Sequence, residues 1–98
     1  MKFSVKKTRE NIINFGRRIG YIATHRTPKN EVSLVRTLGG EYPRFHLYVK
    51  EEGSDKLLLN LHLDQKRPTY KGSHAHSGEY DGELVEKEVK RIQQILEN

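Results

Sequence analysis

The segment KGSHAHSGEYDG, residues 71–82, places two histidines one residue apart among small polar residues, with Glu79 and Asp81 just downstream. Neutral imidazoles that converge with carboxylates are the ligand set of a d-block cation, and histidine also titrates near neutral pH. His74 and His76 are therefore candidate ligands for zinc or another divalent metal. His46, His62, Asp64, Glu79 and Asp81 are available to complete the set. The four histidines His46, His62, His74 and His76 are equally the candidates for acid–base catalysis at a phosphate. The plain alternative is a solvated loop carrying His74 and His76, with His46 and His62 as cross-strand partners on a half-exposed face. No His-Glu-x-x-His spacing selects among these readings. Ser73 and Ser77 fit an ordinary polar turn. Tyr70 and Tyr80, which flank the loop, suit either base stacking or anchoring of the segment.

Those side chains need a scaffold, and the clearest one is RFHLYVK-EEGSD-KLLLNLHLD. Phe45, Leu47 and Val49 alternate with His46, Tyr48 and Lys50, and Leu57, Leu59, Leu61 and Leu63 alternate with Leu58, Asn60, His62 and Asp64. The acidic Gly-Ser connection makes this a β-hairpin. Burying both apolar sets on one side requires odd positions to pair with odd, so His46 must face Asn60 or His62. The run 31–38, with Val32, Leu34 and Leu38 at even spacing, predicts one further strand. A helix is expected from a Thr8 cap to about Ile19, weakened by Gly16. A second helix follows an Asp81 cap, with Val85, Val89, Ile92 and Leu96 on its buried stripe. Residues 65–80 carry no regular pattern, a length that in compact domains belongs to functional or disordered loops. The expected fold is thus α+β, α-β-β-β-α: a three-stranded antiparallel sheet with two helices packed on one face, residues 1–98 forming a single domain.

Charge is unevenly placed. Residues 1–50 hold 11 lysines and arginines against 3 acids, while residues 51–98 hold 7 against 10, which sums to the net +5 of the chain. A basic half suits a polyanion. Lys6, Lys7, Arg9, Arg17, Arg18, Arg36 and Arg44 are the candidate nucleic-acid contacts. The competing expectation is that basic and acidic elements pair with each other in the fold. The chain lacks cysteine, which excludes disulfides and thiolate metal sites. No run reaches the ~20 apolar residues of a membrane helix, and MKFSVKKTRENII has no secretory apolar core. The expectation is a cytoplasmic protein without a membrane partner.

The segments PRFHLYVK, NLHLDQKRP and HSGEYDGELVEKE resemble signature segments of a group of short uncharacterised prokaryotic proteins, a resemblance over residues 42–90 that implies no activity. In order of elements alone the chain resembles double-stranded-RNA-binding domains and the HicA-type mRNA interferase toxins, and RRIGYIATHR is similar to the Gly-aromatic turn that ends the toxins' helix. Their catalytic histidine lies in a Gly-Ser-His motif near the first strands, whereas Gly72-Ser73-His74 falls after the third predicted strand here. The leading expectation is a small binding domain contacting nucleic acid, RNA first, with no required cofactor. A His-dependent hydrolase such as a ribonuclease, a metal-binding module, and a module whose basic half meets an acidic protein partner are the alternatives.

Overall fold

The alternation in the hairpin sets the layout of the whole molecule. The computed structural model describes residues 1–66, 78–79 and 81–97. Its elements run β1 (Lys2–Lys6), α1 (Ile12–Arg18), β2 (Ile22–Arg26), β3 (Val32–Thr37), β4 (Arg44–Glu52), β5 (Lys56–Asp64), β6 (Gly78–Glu79) and α2 (Glu83–Glu97). The strands form one antiparallel sheet in the order β1-β5-β4-β3-β2, and β6 adds two residues to β5.

This corrects the three-stranded expectation. β1 and β2, two strands beyond β3, β4 and β5, flank that unit, and each escaped notice for a physical reason. In β1 only Phe3 and Val5 are apolar, between lysines that read as a charged patch. β1 nevertheless pairs along β5 from Lys2↔Asn60 to Lys6↔Lys56. β2, IATHR, lies at the sheet edge with Ile22 71 % exposed, so it carries almost no burial pattern. Its register with β3 shifts between Ala23 and His25, leaving Thr24 as the bulged residue. Gly78–Glu79 likewise pair with Leu63 and Asp64, within a stretch expected to have no strand.

β4 and β5 pair odd with odd, Phe45↔Leu63 through Glu51↔Leu57, across the three-residue turn 53–55. Gly53 occupies a left-handed conformation there, φ +69°, at no steric cost. Phe45, Leu47, Val49, Leu57, Leu59, Leu61 and Leu63 are buried, and Val32 and Leu34 of β3 join them. Phe15 and Ile19 from the first helical segment and Val85, Val89 and Ile92 from α2 complete the same cluster. Each such side chain withdrawn from water contributes about 1.5–3 kcal/mol. Leu38, expected on this face, falls beyond β3 and is 43 % exposed.

The helices start later than expected. Asn11, not Thr8, caps α1, its side-chain Oδ1 accepting from the Asn14 N–H at 2.8 Å. The Thr8 hydroxyl instead donates to Glu10. In α2 the first turn closes from the Glu86 N–H to the Gly82 carbonyl, so Gly82, at φ +106°, holds the position expected of Asp81.

One buried polar knot fastens these layers. Glu88, 4 % exposed, accepts from the Tyr21 hydroxyl at 2.6 Å and from two nitrogens of Arg91 at 2.7 Å. Arg91 also donates to the Ile19 carbonyl at 2.6 Å, tying α2 to the end of α1. Burial and the neighbouring Glu88 push the Tyr21 phenol far above its usual range.

Candidate functional site

Even positions of β4 and β5 face away from the helices. That outer face carries His46, Tyr48, Asn60, His62 and Asp64, joined by Ser33 of β3 through the β3–β4 register. His46 stands directly across from His62, one of the two partners that parity allows.

The rings pack against each other. His46 stacks on Tyr48 with centroids 4.5 Å apart, and His62 lies 4.9 Å from His46 and 5.8 Å from Tyr48. His62 is only 7 % exposed, so it is a buried member of this cluster and not the half-exposed residue that a bare hairpin implies. Asp64 gathers both imidazoles: His62 Nε2 lies 2.9 Å from Oδ1 and His46 Nδ1 3.2 Å from Oδ2. Burial alone would raise the Asp64 pKa, but hydrogen bonds from His46 and His62 and their nearby charge outweigh it and hold the carboxyl well below the usual range. Arg44 Nε stands 3.7 Å from the same carboxylate.

Beyond His46 the network continues across the sheet to β3 and β2. His46 Nε2 is 2.6 Å from Ser33 Oγ, and the Thr24 hydroxyl, brought there by the bulge, donates to Ser33 Oγ and to the Ser33 carbonyl at 3.0 Å. The order serine Oγ, imidazole, carboxylate is that of a hydrolase triad. Ser33, however, is 0 % exposed, so its oxygen orients the ring and has no approach to a substrate.

Beside the cluster the outer face opens into a groove of about 520 Å³, with Tyr48 and Asn60 in its lining and Lys2, Lys29 and Lys50 around it. Glu31 is the acid of that lining. Among the described residues the three lysines have no carboxylate partner.

The basic residues picked from sequence do not share one face, although Arg44 borders the Asp64 cluster. Lys7 pairs with Glu51 at 2.8 Å, Arg18 with Glu10 at 2.7 Å and Arg36 with Glu88 at 3.4 Å. Arg36 and Arg44 point to opposite sides of the sheet, being register partners of Phe45 and Thr37 respectively. Lys6, Arg9 and Arg17 are exposed on β1, the following turn and α1. His74 and His76, the metal ligands expected from sequence, lie outside the described residues, as do Tyr70 and Tyr80. Sequence reasoning missed Ser33, Lys2, Lys29 and Lys50. Parity in β4 and β5 is enough to place Lys50 and Asp64 on the same face as His62, but Ser33 and Lys2 need the long-range registers of β3 and β1.

Comparison with protein-family models, with curated proteins and with solved structures gave no match to this chain. Among the described residues no helix is long and apolar enough to cross a membrane.

Proposed function

We propose that the chain binds nucleic acid, single-stranded RNA first, on the outer face of its sheet and not through the first helix. The observation that carries this reading is the groove in which Lys2, Lys29 and Lys50 surround Tyr48 and Asn60. Lysines without acidic partners supply phosphate contacts, a neighbouring aromatic ring supplies a stacking surface, and an amide supplies base-edge hydrogen bonds. By contrast, Lys7, Arg18 and Arg36 around α1 and β3 are paired within the fold with Glu51, Glu10 and Glu88. The net +5 of the chain adds a long-range attraction for a polyanion whichever face binds.

Fluorescence anisotropy with a labelled single-stranded RNA tests it. Affinity should fall steeply with salt, and Lys29→Ala/Lys50→Ala should both weaken binding and flatten the log–log salt dependence by about 0.7 for each phosphate no longer neutralised. Arg17→Ala on α1 should leave both quantities unchanged. No binding at low ionic strength, or equal weakening by Arg17→Ala, would refute the assignment. Following the same RNA on a gel tests the hydrolase alternative, which requires cleavage that disappears in His46→Ala.

A further inference from the structure

His46, His62 and Asp64 each bring one ligand atom to within 4.8 Å of the other two. We propose that these three residues form a binding site for a divalent d-block cation, zinc first, on the outer face of the sheet. The site differs from the His74/His76 pair and does not rest on the RNA reading.

Geometry makes the first argument. Ligand atoms around a tetrahedral zinc, at bonds of about 2.0–2.2 Å, stand roughly 3.3 Å apart. His62 Nε2 lies 2.9 Å from Oδ1 of Asp64 and His46 Nδ1 3.2 Å from its Oδ2, so each imidazole already stands at about that spacing from one oxygen of the shared carboxylate. To give one oxygen and two nitrogens to a single ion, the carboxylate and the two rings must turn toward a common point, on adjacent strands whose register holds His46 opposite His62. Asp64 is two residues beyond His62 on β5, so the same pleat presents its carboxylate on the same side.

The second argument lies behind the ligands. An imidazole that binds a metal through one nitrogen keeps its proton on the other and donates it to a fixed oxygen. His46 offers Nδ1 to the site while its Nε2 stands 2.6 Å from Ser33 Oγ, a hydroxyl that is buried and held in turn by Thr24. In the metal-free chain Ser33 donates to Nε2, and Nδ1–H donates to Asp64. With metal bound, His46 takes the other tautomer: Nε2–H donates to Ser33 Oγ, and Nδ1 gives its lone pair to the cation. A serine hydroxyl serves both states because it donates and accepts.

Donor chemistry then selects the ion. Two imidazoles and one carboxylate, with no sulfur, suit zinc, nickel, cobalt or ferrous iron, whereas calcium and magnesium prefer all-oxygen sets. Three protein ligands leave a fourth position for water or an anion, as in metal sites that act on a substrate. Arg44, 3.7 Å from Asp64, is the positive group that an entering cation must displace or tolerate.

Calorimetric titration with zinc chloride at neutral pH is the test. The proposal expects one zinc per chain, binding retained in His74→Ala/His76→Ala, and a loss of more than about tenfold in Asp64→Asn. Ser33→Ala, which removes only the oxygen behind His46, should weaken zinc by about tenfold while circular dichroism stays native. Should Asp64→Asn not fold, long-range 1H–15N spectra of the wild-type imidazoles decide: zinc should move His46 Nδ1 and His62 Nε2 selectively. Absence of zinc binding by the folded wild type would overturn the proposal. Loss of binding in the His74/His76 variant, or zinc shifts confined to other histidines, would overturn it equally.

Discussion

Tyr21 shows what a single buried hydroxyl does to pH dependence. It is fully buried and donates to Glu88, and its phenol stays protonated far above the usual tyrosine range. In the unfolded chain the same phenol titrates near pH ~10. Below that value both states hold the proton, and the stabilisation is complete. Above it the unfolded state releases a proton that the folded state keeps, so stability from this group should fall by about 1.4 kcal/mol per pH unit. Urea unfolding between neutral and strongly alkaline pH should show that decline in the wild type and a shallower one in Tyr21→Phe; parallel curves would contradict it. At the same scale, parity alone narrowed the partner of His46 to Asn60 or His62, and the three-residue turn selects His62. The burial of His62 was not legible. It arises from the rings of His46 and Tyr48 and the Asp64 carboxylate closing around it, contacts between side chains that a strand pattern does not encode.

Among the elements, α1 is where sequence and structure part most. Asn11 and Thr8 are both acceptable caps by residue type, and only the fold decides between them. Gly16, a weak helix former on sequence grounds, turns out to be the point where α1 meets the sheet. A Cβ built there would run into Cδ2 of Leu34, itself fully buried. Gly16→Ala gains up to about 1 kcal/mol of helix propensity but forces overpacking that costs typically 1–3 kcal/mol. Because Leu34 is fully buried within the core cluster, the clash should win, and the variant should melt below the wild type. A higher melting temperature for Gly16→Ala would show that Leu34 can move aside. α2 read differently: Val85, Val89 and Ile92 form its buried stripe as the spacing implies, since one amphipathic face against one sheet is a local pattern.

At the scale of the molecule, the hairpin and the last helix were legible because each is written in one continuous stretch of sequence, two alternating arms about a short turn and one apolar stripe. β1 was not, because its stability comes from partners about fifty or more positions away, from Lys6↔Lys56 to Lys2↔Asn60. β1 closes the edge of β5 and sets Phe3 and Val5 partly against the core. A chain beginning at Thr8 should lose roughly 2–3 kcal/mol from those two side chains. It should also expose the β5 backbone as an open edge that invites association. Light scattering coupled to size-exclusion chromatography should then show oligomers or aggregate in place of the wild-type species. A truncated chain with unchanged mass and melting temperature would mean that β1 is an ornament on a sheet already complete.

The strand order β1-β5-β4-β3-β2 also has a consequence in time. On the ribosome β1 is made well before its partner β5, which follows about fifty residues later, after the β2–β3–β4 meander that β5 must join. At about 5–20 residues per second, the nascent chain waits roughly 3–10 s with β1 unpaired. The lysines at both ends of that strand, Lys2 and Lys6, keep it soluble through the wait. The charge that first reads as a binding signal thus also protects a strand whose place in the sheet does not yet exist.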